Sequence, residues 1–160
     1  MAAIDAVFKA YDVRGTVPDQ LDADLCRAIG AAFALFARDT DPATGQGLVA
    51  RDMRPSGPQL AGAFADGVQS QGLDVVDLGM ASTDLIYFAS GKLGAPGAMF
   101  TASHNPAQYN GIKFCLAGAA PVGQDTGLDH IKARAAAGVP PGAAEPGRRT
   151  HQDLLADYAD

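Results

Sequence analysis

Helical and extended patterns of apolar residues alternate along the chain. Leu25, Ile29 and Phe33 recur at helical spacing, whereas residues 98–101 form a short run, mostly apolar, that leads into a polar segment. The predicted elements, in chain order, are a helix over about 22–38, a strand over 48–50, a helix from 55–57 to Gly72, a strand over 73–78, a helix from Ser82 or Thr83 to Ser90, and a strand over 98–101. This order predicts an α/β domain.

The composition changes near the end of the sequence. Residues 139–149 are rich in proline and glycine, which predicts a linker after a first domain over 1–138. Thr150 and Asp153 are spaced like a helix-capping pair, so residues 150–160 are predicted to begin a helix. The helical pattern stops with the chain and without a termination signal. We therefore expect this chain to be the first domain of a longer protein, cut inside a connecting helix.

Bulk properties exclude several classes of protein. A chain of 160 residues that is 48% hydrophobic can bury one sizeable core. Its net charge of −6 argues against nucleic acids and anionic membranes as partners. No apolar stretch is long enough to span a membrane, and the first residues lack the regions of a signal peptide. Cys26 and Cys115 lie in apolar contexts without metal-ligand spacing, which predicts buried free thiols and a cytoplasmic location.

The segment after the last predicted strand carries the candidate chemistry. The apolar run ends at Thr101 and leads into a short polar loop that contains Ser103, and the chain returns through an apolar segment with Lys113 on its opposite face. Asn105 precedes a proline, which suits a tight loop, and residues 110–111, Asn-Gly, predict a second turn. The pattern therefore brings a serine and a lysine to one edge of the sheet.

Phosphoryl transfer suits this serine better than acyl transfer. Ser103 is not in a G-x-S-x-G turn, and His104 is its neighbour, so in an extended segment the histidine ring points away from the hydroxyl. Phosphoryl transfer depends on positioning and on cations rather than on a strong adjacent base. The other interpretation of the serine, taken alone, is a solvated residue at a hairpin tip.

Three motifs in order resemble one family. TASHNPAQYNGIKF at 101–114 resembles the phosphoserine loop of the phosphohexomutases, the phosphomannomutase and phosphoglucomutase group. FKAYDVRG at 8–15 resembles their N-terminal motif, and ARDMRPSG at 50–57 resembles their G-R-D-x-R-x-S-G segment, with Ala50 in place of the glycine. Residues 82–84, Ser-Thr-Asp, depart from the T-T-P run of many members. The resemblance implies a three-layer α/β/α domain with a mostly parallel mixed sheet, the first of four domains.

The resemblance also implies roles for individual residues. Ser103 would be a phosphoserine, and an oxygen of its phosphate would be the only ligand that this domain offers to Mg²⁺. Lys113 would neutralise the transferring group or carry the hydroxyl proton, and Arg14 would pair with the phosphate. His104 would hydrogen-bond the phosphoserine or, as we favour, hold the loop. Tyr11 would either contact the sugar or belong to the core.

The motif at 50–57 contains a cluster of charges. Arg51, Asp52 and Arg54 are predicted to form an ion-pair turn that braces the domain, rather than to contact phosphate directly. Asn110 and Gly111 are interpreted as turn residues.

The implied activity is that of a phosphomannomutase or phosphoglucomutase. It moves phosphate reversibly between positions 1 and 6 of a hexose through phosphoserine and a hexose 1,6-bisphosphate, which also primes the serine. The expected partners are hexose phosphates and the remaining domains of the same chain, and without those domains we expect no turnover. A catalytically silent sugar-phosphate binding module and a phosphoglucosamine mutase are the alternatives. The preferred sugar stays open, because the sugar-selecting loop of the family lies outside this sequence.

Overall fold

A mixed sheet with helices on both faces forms the centre of the protein in a computed structural model, which describes residues 2–102 and 105–153. The strands are β1 (Val13–Thr16), β2 (Gln46–Arg51), β3 (Asp74–Met80), β4 (Gly97–Phe100), β5 (Tyr109–Leu116), β6 (Ala120–Pro121) and β7 (Arg149–His151). Their order is β1-β5-β4-β2-β3-β7, with β6 beside β5. β2 pairs in parallel with β3 and β4, and β3 with β7, whereas all three pairings of β5 are antiparallel.

Three of the five helices in the described residues, those over 23–40, 57–70 and 83–93, were predicted from the sequence, and the other two were not. The helices are α1 (Ala2–Val7), α2 (Ala23–Thr40), α3 (Gly57–Ser70), α4 (Thr83–Leu93) and α5 (Leu128–Ala136), with a 3₁₀ turn at Gln124–Thr126. Asp22 caps α2 by accepting a hydrogen bond from the backbone N–H of Leu25 at 2.8 Å, and Ser82 caps α4 in the same way. No helix within the described ranges is long and apolar enough to cross a membrane.

Two apolar clusters cover the two faces of the sheet. The larger one joins α2, α3 and α5 to one face and contains Phe33, Phe64, Phe100 and Phe114. The rings of Phe33 and Phe114 stack with centroids 5.2 Å apart. The smaller cluster lies under α4 on the opposite face. This confirms the three-layer α/β/α fold and the mixed sheet.

Both cysteines are buried and free, as predicted. Burial raises the pKa of the Cys26 and Cys115 thiols, so both groups are protonated near neutral pH.

The Asn-Gly pair at 110–111 was predicted to form a turn, and this is wrong. Both residues lie inside β5, where Gly111 pairs with Arg14 of β1. The chain reverses earlier, at 106–109, where the N–H of Tyr109 donates to the carbonyl of Pro106 at 2.9 Å. Gly111 is needed for a different reason, because a Cβ at this position would strike the backbone carbonyl of Val13.

The helix predicted from Thr150 is also wrong at its start. Residues 149–151 form β7 at the edge of the sheet, because β3 offers an unpaired edge and the N–H of Val75 donates to the carbonyl of Arg148 at 2.7 Å. Residues 154–160, the rest of the predicted helix, lie outside the described residues. The Pro/Gly-rich segment before β7 is attached to the end of α3, where the N–H of Gly147 donates to the carbonyl of Gln69 at 2.9 Å.

Candidate active site

The candidate phosphoserine loop leaves the sheet where two parallel strands end. Arg51 at the end of β2 pairs with Phe100 at the end of β4, so the segments that follow them leave the sheet side by side. In open α/β sheets, ligands bind beyond the carboxyl ends of the strands. Ser103 and His104 lie outside the described residues, so their roles stay predictions. The two flanks of the loop are described and fix where it begins and ends.

Arg14 and Lys113 lie on neighbouring strands and share a face of the sheet. β1 and β5 are antiparallel, with Val13 opposite Ile112. Because Val13 and Ile112 belong to the larger apolar cluster, the alternation of side chains directs their neighbours Arg14 and Lys113 to the other face. Both cations are half-buried. The structure thus brings together the two cationic residues that the sequence singled out.

A carboxylate lies between these cations. Partial burial of Asp12 raises its pKa, although the charges of Arg14, Lys113 and Lys9 oppose this rise. Three cations, Arg14, Lys113 and Lys9, therefore lie close enough to this half-buried carboxylate for their charges to act on it. Such a group of cations suits an anionic ligand, in particular a phosphate, which would neutralise part of the positive charge that Asp12 now neutralises.

The Asp12→Asn variant should reveal this burial as a pH dependence of stability. The pKa of Asp12 is raised in the folded state, so the wild-type protein loses stability as the pH rises through the interval from the unfolded-state pKa up to the raised value. Asparagine removes that loss. We expect the free energy of unfolding of Asp12→Asn, relative to wild type, to increase as the pH rises above about 4, the ordinary pKa of an aspartate, and then to level off, measured by denaturant titration. A constant difference would contradict the desolvation of Asp12.

Tyr11 is a surface residue. Its side chain is 81% exposed, which rules out the core role that the sequence left open. It lines an open cavity of about 300 Å³ with residues of the 3₁₀ turn and its neighbours. The ring is therefore available to a ligand at the same end of β1 as Asp12.

The charges after β2 form the predicted ion pair and also make contacts that the sequence did not predict. Arg54 Nε lies 3.5 Å from Asp52 Oδ2. The guanidinium also donates to the carbonyls of Asn105, Pro106 and Tyr109 at 2.9, 2.7 and 3.0 Å. It therefore binds the descending side of the loop, which is the side that leads into β5. The predicted part of Arg51 in this ion pair is wrong: among residues 2–102 and 105–153, Arg51 forms no ion pair with Asp52, and it lines a separate cavity between α3 and β7. The only signal in the sequence for the contact between Arg54 and the loop is the motif at 50–57 itself.

The residues present do not make a metal site by themselves. Over 2–102 and 105–153, no group of three or more histidine, cysteine, aspartate or glutamate side chains could hold a metal ion. Mg²⁺ usually binds through one or two carboxylates, together with phosphate oxygens and water.

Comparison with known proteins agrees with the three motifs. A family model described as phosphoglucomutase/phosphomannomutase, alpha/beta/alpha domain I, matches residues 5–139. A protein of Xanthomonas campestris named phosphohexose mutases is 42% identical over 161 residues, which is 96% of this chain and 35% of that protein. A phosphomannomutase of Klebsiella pneumoniae is 38% identical over 158 residues, 96% of either chain.

A solved structure shares the fold. The phosphoglucomutase/phosphomannomutase family protein of Burkholderia thailandensis superposes with a TM-score of 0.85 at 35% identity, over 96% of this chain and 34% of that one. The chain spans about a third of the length of the Xanthomonas relative and of this structure. The chain belongs to the phosphoglucomutase/phosphomannomutase family and matches its α/β/α domain I.

Proposed function

We propose that this chain supplies the phosphoserine domain of a hexose-phosphate mutase that acts on mannose or glucose phosphates. The observation that carries the proposal is that Arg14 on β1 and Lys113 on β5 share a face of the sheet, where β5 pairs with β4, the strand that leads into the Ser103 loop. The names of its relatives, phosphomannomutase and phosphohexose mutases, support the same activity.

The proposed reaction consists of two phosphoryl transfers, each of a different phosphate group. The Oγ–P bond of phosphorylated Ser103 breaks as a hydroxyl oxygen of the hexose phosphate bonds to phosphorus, and the hydroxyl proton passes to Ser103. The resulting bisphosphate reorients, the oxygen of Ser103 bonds to the other phosphorus as the bond from that phosphorus to the sugar oxygen breaks, and the serine proton passes to the sugar oxygen, which regenerates phosphoserine. The net product is the isomer with phosphate at the other position.

Arg14 and Lys113 stabilise the charge that this transfer moves. Phosphoserine carries close to two negative charges at neutral pH, and a guanidinium can donate two parallel hydrogen bonds to its oxygens. Lys113 lies on the neighbouring strand and either neutralises the group in flight or carries the hydroxyl proton. His104 holds the loop, and Tyr11 contacts the sugar.

Two small molecules complete the proposal. Mg²⁺ would neutralise phosphate charge, with an oxygen of phosphorylated Ser103 as its ligand from this chain. A hexose 1,6-bisphosphate would load Ser103 before the first turnover. The enzyme would work in the cytoplasm, where sugar phosphates are made and used.

A further part of the proposal concerns the other domains. This chain spans about a third of the length of relatives that are named as mutases. We therefore expect catalysis to need residues from the other two thirds of such a protein. Misplacing reacting groups by about 1 Å can cost about a hundredfold in rate. We therefore expect residues 1–160 alone to show no turnover, and detectable turnover by this piece would contradict our placement of the site.

A coupled assay tests the substrate class. The protein expressed from the complete native gene is loaded with bisphosphate and Mg²⁺ and supplied with mannose 1-phosphate, glucose 1-phosphate or glucosamine 1-phosphate. Conversion of mannose or glucose phosphate to its 6-phosphate supports the proposal, and the ratio of the two rates identifies the preferred sugar. Turnover of the amino sugar alone would identify a phosphoglucosamine mutase. Binding without any turnover would identify a silent binding module.

A further inference from the structure

Both sides of the Ser103 loop are attached to one short segment after β2. On the ascending side, the hydroxyl of Thr101 donates to Asp52 Oδ2 at 2.7 Å, and the N–H of Asp52 donates to the carbonyl of Phe100 at 2.9 Å. On the descending side, the guanidinium of Arg54 donates to three loop carbonyls, those of Asn105, Pro106 and Tyr109. Residues about 50 positions away in sequence therefore fix both ends of the loop.

Asp52 and Arg54 are themselves held together. The carboxylate of Asp52 accepts from the backbone N–H of Arg54 at 3.2 Å and lies 3.5 Å from Arg54 Nε. Arg54 is only 9% exposed, although it carries a permanent charge. A buried arginine is costly unless it is paired and its donors are used, and here they are used on the backbone of the loop.

We propose that Arg54 and Asp52 are positioning residues for phosphoryl transfer at Ser103, an inference that rests on the proposed function. They touch the loop and not the substrate. Their effect is to hold the loop backbone in one arrangement, so that the reacting oxygen needs no reorganisation before each transfer. Well-positioned reacting groups account for a large share of enzymatic rate, and phosphoryl transfer depends mainly on positioning and charge.

The planar guanidinium is what this role requires. Three carbonyls are reached from two terminal nitrogens, one of which donates to Pro106 and to Tyr109. The compact ammonium of lysine keeps the charge but cannot reproduce this planar arrangement of donors. The Arg54→Lys variant therefore keeps the positive charge and loses the planar arrangement of donors, so its effect reports the role of the side-chain geometry.

The test is steady-state kinetics on the protein expressed from the complete native gene, per folded active site. For Arg54→Lys we expect kcat to fall about a hundredfold while KM changes less than about threefold, because the variant misplaces the serine and leaves the sugar contacts intact. Arg51→Met is a stringent control, because Arg51 lies three positions away in sequence and methionine also removes the positive charge that Arg54→Lys keeps. Within the described chain its side chain has no hydrogen bond to the loop, so its kcat should stay within about threefold of wild type.

Thr101→Val provides a second variant if Arg54→Lys folds poorly. It removes only the hydroxyl that donates to Asp52, and we expect kcat to fall about tenfold. The double variant should lose less than the product of the two single effects, because both act through the same loop.

Amide hydrogen exchange gives a readout that does not depend on activity. Peptides that cover residues 101–109 should exchange faster in Arg54→Lys than in Arg51→Met, whereas exchange in β2 and α2 should be unchanged. If wild type turns over but neither Arg54→Lys nor Thr101→Val lowers kcat, the inference is overturned and the proposed function stands. If wild type does not turn over, the proposed function fails and takes the inference with it.

Discussion

The Ser103→Ala variant of the protein made from the complete native gene should lose turnover by more than about a thousandfold. In the proposed mechanism, alanine removes the oxygen that accepts and returns the phosphoryl group. Thr101, the other hydroxyl of this segment, is already engaged with Asp52 and is 6% exposed.

A serine at the far end of α3 provides the control for this experiment. Ser70 donates to the carbonyl of Gly67 within its own helix and lies away from the loop. Ser70→Ala should leave the rate within about twofold of wild type. If Ser103→Ala retains a tenth or more of wild-type turnover, the serine is not the group that carries phosphate.

The largest expected effect on stability comes from Gly67→Ala. α2 and α3 cross at two glycines, and a Cβ on Gly67 would strike the backbone carbonyl of Arg27, with the N–H of Ala31 also 2.9 Å away. Gly30 makes the reciprocal approach to the carbonyl of Phe64. Backbone cannot yield as a flexible side chain can, so the two helices must separate over the larger apolar cluster. We expect the free energy of unfolding to fall by about 3 kcal/mol, by denaturant titration.

The same helix contains a matched control for the glycine experiment. A Cβ on Gly62 meets no atom within 4 Å. Gly62→Ala should therefore stabilise the protein by ~0.5–1 kcal/mol, because alanine has the higher helix propensity. The stability changes expected at the two glycines of α3 have opposite signs. This difference shows whether the loss at Gly67 comes from the contact between α2 and α3 or from helix propensity. Equal effects at both positions would contradict the close approach of α2 and α3.

Helices α2, α3 and α4 and the strands between them could be predicted because their signals are local. Asp22 and Ser82 each lie just before an apolar helical pattern, and both act as caps in the structure. Leu25, Ile29 and Phe33 repeat at helical spacing, and all three are buried. Periodicity and capping depend on neighbours within one or two turns, which a sequence displays directly.

The errors came where tertiary contacts override local preference. Asn110 and Gly111 have turn chemistry, but the approach of β1 requires the glycine inside a strand, and the buried Asn110 amide donates to Ser56 Oγ at 2.9 Å. Thr150 resembles a helix cap, but the free edge of β3 extends the sheet through this residue. Neither partner lies near its target in the sequence, so no local pattern could have indicated it.

In the candidate site, too, the residues within local motifs could be predicted from the sequence, whereas the long-range contacts could not. The motifs were sufficient to indicate Arg14 and Lys113, and the pairing of β1 with β5 places them on one face. The contacts of Arg54 with the loop join residues more than 50 positions apart, and the exposure of Tyr11 depends on how the 3₁₀ turn packs. Long-range contacts of this kind are fixed only by the complete fold.

Phosphopeptide mapping in a single turnover tests the central claim most directly. The protein made from the complete native gene is incubated with hexose bisphosphate labelled with ³²P and freed of excess ligand. One sample is then digested, and its peptides are analysed by mass spectrometry. A second sample is mixed with unlabelled hexose 1-phosphate before it is digested and analysed in the same way. We predict label on Ser103 in the first sample, and in the second its transfer to the sugar at a rate no slower than kcat. Label on another residue, no label at all, or label on Ser103 that does not move to the sugar would contradict the phosphoserine mechanism.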